Sequence, residues 1–185
     1  MKKHLPLLLF LMVIFVGNHL YAQNGISVGM TPYGKLAIRD TESKTDLLFS
    51  EYSFTNPIYQ LSYEKHLSSI KDLLLEACYS KIVLKDELDF LELTTNCYGF
   101  YGFQGYNLIP RMRVQLPIYL GIGACYYDVL KESGFYVDLA ARARLKLYLT
   151  NRIALYGGGY YNFGFGVNKT MERRYGVDAG ILFSF

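Results

Sequence analysis

The segment FYVDLAARARLKLYL, residues 135–149, is apolar at every odd position from Phe135 to Leu149. Its even positions hold Tyr136, Asp138, Ala140, Arg142, Arg144, Lys146 and Tyr148. At helical period the four charges would spread around an axis, whereas at period two they separate onto one face. The segment therefore predicts an extended strand with one wholly apolar side. The closing segment YGVDAGILFSF behaves alike: Val177, Ala179, Ile181, Phe183 and Phe185 oppose Gly176, Asp178, Gly180, Leu182 and Ser184.

The alternation recurs along the chain. Val114, Leu116, Ile118, Leu120 and Ile122 oppose Arg113, Gln115 and Tyr119, and Leu155, Tyr161 and Phe163 oppose Tyr156, Tyr160 and Asn162. Tyr59, Leu61 and Tyr63 oppose Gln60, Ser62, Glu64 and His66. In residues 90–102, Leu91, Leu93, Cys97 and Tyr101 are assigned to the apolar side and Glu92, Thr94, Asn96 and Tyr98 to the polar one. In the first such segment Ile26, Val28, Met30, Leu36 and Ile38 oppose Ser27, Thr31, Lys35 and Ala37. The weakest case is 71–85, where Lys81 interrupts the apolar side of Leu73, Leu75, Ala77 and Tyr79. Eight strands result, at about 25–38, 54–67, 71–85, 89–103, 113–128, 134–149, 151–165 and 171–185. An even number of strands with short turns suits a closed antiparallel meander.

Alternation leaves open which side faces out. A soluble eight-stranded barrel keeps its apolar side inward, and a membrane barrel inverts it. The apolar sides are nearly free of charge over lengths that cross a bilayer, about 9–11 residues at a tilt. The polar sides carry Gly, Ala, Ser, Thr and Tyr with a few charges of both signs, as a narrow filled lumen requires, and too few Lys and Glu for a soluble surface. The expected fold is all-β: an eight-stranded antiparallel up-and-down transmembrane β-barrel. A soluble ligand-binding barrel is the outside alternative.

The N-terminus adds a destination. Lys2 and Lys3 precede an apolar run from Leu5 to Val16, and Ala22 offers a small residue at a cut point. That run is too short to span a membrane and reads as a cleaved secretory signal peptide. The expected division is a signal peptide at 1–22 and a barrel domain at 23–185. Without Lys2 and Lys3 the 19 Lys+Arg fall to 17 against 16 Asp+Glu, which is no nucleic-acid footprint. Cys78, Cys97 and Cys125 form no metal-ligand spacing and read as packing residues; with Cys97 facing away from Cys78, no bridge joins those two. No cofactor is expected.

The signal peptide, the strand–turn–strand YLTNRIALYGGGYYNF and the alternation ending in Phe185 resemble the small outer-membrane β-barrel (porin-like) family of Gram-negative bacteria. The resemblance is one of pattern over the whole mature chain. It implies location in the cell outer membrane, contact with outer-membrane lipid and lipopolysaccharide, and recognition by the barrel-assembly machinery. In that family the terminal aromatic strand is the insertion signal, which here places Tyr175, Ile181, Phe183 and Phe185 at the matching positions.

The polar sides project Lys35, Glu64, Glu76, Glu92, Arg113, Asp138, Arg142, Arg144, Lys146, Arg174 and Asp178 inward. Isolated buried charges are costly, so opposite charges should pair. The expected network, which includes Arg174, joins Arg142 and Arg144 to carboxylates among Glu64, Glu76, Glu92 and Asp178; the alternative leaves these charges in water at the barrel ends. The resulting function is a structural or surface-interaction barrel with a filled lumen and residues 39–53 as its contact loop. The alternatives are a narrow channel for small or hydrophobic solutes and a lipid-modifying enzyme. His66-Leu67-Ser68 resembles the His-x-Ser pairing of barrel lipid A deacylases, but it sits beside a turn at the periplasmic end, so catalysis is not expected. No extracellular partner follows from the residues.

Overall fold

The structure, a computed structural model, describes residues 24–40, 50–53, 56–68, 70–85, 92–109, 113–128, 134–166 and 170–185. The signal peptide expected at 1–22 and most of the contact loop expected at 39–53 lie outside these residues. Among the described residues ten strands are present: β1 (Asn24–Asp40), β2 (Ser50–Ser53), β3 (Ile58–His66), β4 (Lys71–Lys85), β5 (Glu92–Asn107), β6 (Val114–Gln115), β7 (Pro117–Asp128), β8 (Gly134–Tyr148), β9 (Ile153–Gly166) and β10 (Thr170–Ser184).

They build eight staves. β2 and β3 both pair with β1 and form one interrupted stave. β6 and β7 both pair with β8 and form another. All pairings are antiparallel, and β10 returns to β1 from Gly25↔Ser184 to Asp40↔Thr170, closing the sheet into a barrel. The last residue completes the seam: Phe185 N donates to Asn24 O at 2.9 Å, and Asn24 N donates to Phe185 O at 3.3 Å. At the end that holds Asn24 and Phe185, the termini of the described barrel, the turns are tight. Ser68 Oγ accepts from Lys71 N at 3.1 Å, and Thr150 Oγ1 accepts from Ile153 N at 3.1 Å. These hydroxyls satisfy amides that the ladder leaves unpaired.

The apolar side faces out. Ile122 is 65% exposed, Leu120 63%, Leu139 58% and Val28 56%, while Asp138, Arg142 and Arg144 are buried inside. On β5 the outward positions run Tyr98, Phe100, Gly102, Gln104 and Tyr106, aromatic at both ends. An outer apolar band between aromatic rims, with charge inside, is the inverse of a soluble barrel and the arrangement of a transmembrane one.

Two strands depart from the expected facing. In β5 the sides are exchanged: Cys97 and Tyr101 are fully buried in the lumen and Tyr98 and Phe100 face out. Both sides of this strand are aromatic and glycine-rich, so its own alternation carried little direction. In β1 the register slips by one residue between Met30 and Tyr33, where Met30 pairs with Ala179 but Tyr33 with Val177. A one-residue bulge reverses every later side chain. Leu36, expected outside, is therefore fully buried in the lumen, and Lys35, expected inside, is only half-buried on the opposite side of the strand.

Two glycines thin the wall where rings lie flat against it. A Cβ on Gly105 would sit 2.5 Å from the Tyr119 ring, and one on Gly123 would sit 2.2 Å from the Tyr101 ring. These gaps let two tyrosines fold over the wall and bring their hydroxyls to the charges at the centre.

Candidate functional site

The lumen is filled in layers. Nearest the termini, Glu64 on β3 accepts from Tyr119 OH at 2.7 Å and is bound by the ammonium of Lys146 on β8, directly across the ring of staves. Beside it, His66 Nδ1 meets Asp72 Oδ1 at 2.5 Å. An apolar group of Ala154, Tyr156 and Leu182 packs at the same end.

The central layer is built on Glu76 of β4. Its Oε1 accepts from Arg142 Nη2 at 2.6 Å and Nε at 3.2 Å. Its Oε2 accepts from Arg144 Nη2 at 2.6 Å. Arg144 also donates from Nε to Asp178 Oδ2 at 2.9 Å, and Arg142 donates to Asn162 Oδ1 at 3.4 Å. The alternation of β8 puts Arg142, Arg144 and Lys146 on one side at successive heights, so one strand supplies three cations to carboxylates on others. Arg142 lies 4.8 Å from the Tyr160 ring centre and Arg144 4.7 Å from that of Tyr156, adding cation–π attraction in a site from which water is largely excluded.

Above it, Arg174 donates to Asp138 Oδ2 at 2.5 Å and to Glu172 Oε1 at 3.2 Å. Tyr101 OH donates to the same Asp138 oxygen at 2.6 Å. An apolar cluster of Leu36, Ile58, Cys97, Cys125, Tyr127 and Tyr136 lies toward the end away from Asn24 and Phe185.

Of the residues expected in the network, the structure brings Glu76, Arg142, Arg144 and Asp178 into one cluster. It places Glu64 with Lys146 in a second and Arg174 with Asp138 in a third. The side chain of Glu92 lies outside the described residues. Ile181, Phe183 and Phe185 point outward and are exposed, and Tyr175 is half-buried. Sequence reasoning did not select Glu172, although it shares the inward parity of Arg174 and Asp178. It also missed Tyr101, because the facing of β5 was exchanged.

Among the described residues, the lumen carboxylates Glu64, Glu76, Asp138, Glu172 and Asp178 each meet a cation of the same chain. Breaking one buried pair leaves an uncompensated charge in low dielectric, so each layer resists opening. Glu64, His66 and Asp72 bring ligand atoms within 4.8 Å of one another; Lys146 and Tyr119 engage Glu64, and His66 engages one oxygen of Asp72, whose other oxygen is buried without a hydrogen-bond partner among the described residues. Ser68 Oγ is engaged by the turn amides of Ile70 at 3.4 Å and Lys71 at 3.1 Å. The His66-Leu67-Ser68 motif thus divides into a part-buried histidine–carboxyl contact and a turn former.

No known family matches the sequence, and no curated protein does. Among solved structures, neisserial surface protein A aligns over 88% of this chain and 97% of its own, at 13% identity and a TM-score of 0.61. Ail, the attachment invasion locus protein of Yersinia pestis, aligns over 87% and 99% at 13% identity and a TM-score of 0.48. The N-terminal β-barrel domain of Pseudomonas aeruginosa OprF aligns over 89% and 100% at 13% identity and a TM-score of 0.48. The first of these gives the chain the fold of a small outer-membrane β-barrel.

Proposed function

We propose that this chain is an outer-membrane barrel of structural or surface-interaction type whose lumen is a plug rather than a path. The observation that carries this reading is the stack of buried ion pairs spanning the interior, from Glu64–Lys146 through Glu76–Arg142–Arg144 to Asp138–Arg174, between apolar groups at both ends. Outer-membrane lipid and lipopolysaccharide contact the apolar belt. The end of the barrel away from Asn24 and Phe185 faces outside, and any partner binds there.

Purified protein in planar bilayers should give no steady single-channel steps. Regular steps in the wild-type protein would replace the plug with the channel reading. Fractionation tests the location: the chain should require detergent for release from the outer membrane, and recovery in the soluble periplasm would overturn the membrane assignment.

The terminal strand serves as the insertion signal for the barrel-assembly machinery, with Tyr175, Ile181, Phe183 and Phe185 as its outward residues. Phe185 is 64% exposed, so its side chain adds little to packing. Deleting it should lower outer-membrane levels several-fold, while the purified chain refolded in detergent loses only about 1–3 kcal/mol, the share of its two backbone hydrogen bonds to Asn24. Normal membrane levels of the truncated chain would remove this role.

A further inference from the structure

The three cysteines gather in the lumen around one glycine. Cys78, Gly99 and Cys125 form a cross-strand row on β4, β5 and β7. A Cβ on Gly99 would lie 2.6 Å from Cys78 Sγ, so that sulfur covers the bare glycine. Cys97, two residues earlier on β5, reaches diagonally to Cys125, with the two sulfurs 3.2 Å apart. Both residues are buried, at 0% and 1% exposure.

We propose that Cys97 and Cys125 are joined by a disulfide that staples β5 to β7, and that Cys78 remains a thiol. Bond formation requires the sulfurs to close by about 1.2 Å, from 3.2 Å to the usual ~2.04 Å. Diagonal neighbours on an antiparallel pair stand about 7–8 Å apart at Cα, just past the separation a bridge spans without backbone movement, so the two strands must draw together slightly as the bond forms. Here the sulfurs have already converged, and each cysteine has a lumen-side glycine two residues away, Gly99 on β5 and Gly123 on β7, where the wall can adjust. Cys78 is held apart, over Gly99 and on the far side of β5 from Cys125.

The proposal rests on the reading of the chain as exported, because disulfides persist in oxidising compartments. The closed barrel buries both thiols, so oxidation precedes closure. The oxidant is a periplasmic protein carrying a reactive disulfide. One cysteine thiolate attacks that disulfide to form a mixed disulfide and release one donor sulfur. The second cysteine thiolate then displaces the other donor sulfur. The chain loses two thiol protons and two electrons, and the donor leaves as a dithiol carrying both.

The test counts thiols on full-length protein from acid-quenched, fractionated cells, using a maleimide-polymer label in denaturant with and without prior reduction. The wild-type membrane fraction, with its three cysteines, should take one label before reduction and three after. Cys78→Ser should take none before and two after, and Cys97→Ser should take two in both cases. Three labels before reduction on membrane-fraction protein overturn the disulfide alone, as does a bridge that survives Cys97→Ser or links two chains. Three labels on a chain missing from the membrane fraction overturn the export reading as well.

Discussion

Glu76→Ala lowers the stability of the folded barrel by about 3–5 kcal/mol, the cost of leaving a buried charge without its partner. Glu76 stands on β4 and its arginines on β8, with two staves between them in the ring, so its bonds cross the lumen rather than run along the wall. Its two oxygens bind one guanidinium each, at 2.6 Å in both cases. Without it, Arg142 keeps, among the described residues, Asn162 and the faces of Tyr160, Phe103 and Tyr101. Arg144 retains Asp178 and Gln60, so the larger share of the loss falls on Arg142. Removing that cation too should restore part of the stability: Glu76→Ala with Arg142→Met should cost less than the sum of the two single changes. Urea titration of the folded protein in detergent, followed by the electrophoretic shift between folded and unfolded forms, measures all three. A loss below about 1 kcal/mol for Glu76→Ala is the value for a solvated surface pair and would place these charges in water.

Ile122→Arg is the second large effect, with an expected loss of about 2–4 kcal/mol on folding into lipid vesicles. Ile122 lies midway between Ile118 and Tyr126 on the outward side of β7 and is 65% exposed. It therefore sits near the centre of the apolar band. Leu149→Arg, at the turn beside the termini and 52% exposed, should cost only about 0–1 kcal/mol, because a long cationic side chain there reaches the interface. Depth dependence is the discriminating feature. In water, two exposed leucine- or isoleucine-to-arginine changes would differ little. Equal effects at the two positions would mean that the belt does not face lipid.

How much of this was legible in the sequence depended on the strand. β8 was readable throughout, because three cations share one side and no charge interrupts the other over the whole segment. β10 was readable from Arg174 onward, with Arg174 and Asp178 inside and Val177, Ile181 and Phe183 outside; before it Arg173 interrupts the outward side and Glu172 was not selected. β5 was not. Tyr98 and Phe100 on one side and Tyr101 and Phe103 on the other give equal apolar weight, so only the partners of each side distinguish them. Tyr101 belongs inside because Asp138, two staves away on β8, takes its hydroxyl hydrogen bond. β1 failed differently. Its pattern is clear on each side of Thr31-Pro32, but the inserted residue between them has no signature in a string of alternating letters, and it sends Leu36 to the lumen.

The period of two, the number of staves and the separation of charge from apolar residues on most strands follow from the sequence alone, because neighbouring side chains on an extended chain must point to opposite faces. Alternation is symmetric under exchange of inside and outside, however, and contains no pairing partners. Direction came with closure: the charges went in, where they bond one another, and most of the leucines, isoleucines and valines went out, with Leu36, Ile58, Leu74 and Leu182 packed inside among the described residues. Closure also decided which carboxylate meets which arginine across the lumen. It brought Cys97 and Cys125, 28 residues apart in the chain, to touching distance, because contacts between non-neighbouring residues are set by strand register and no local pattern encodes them.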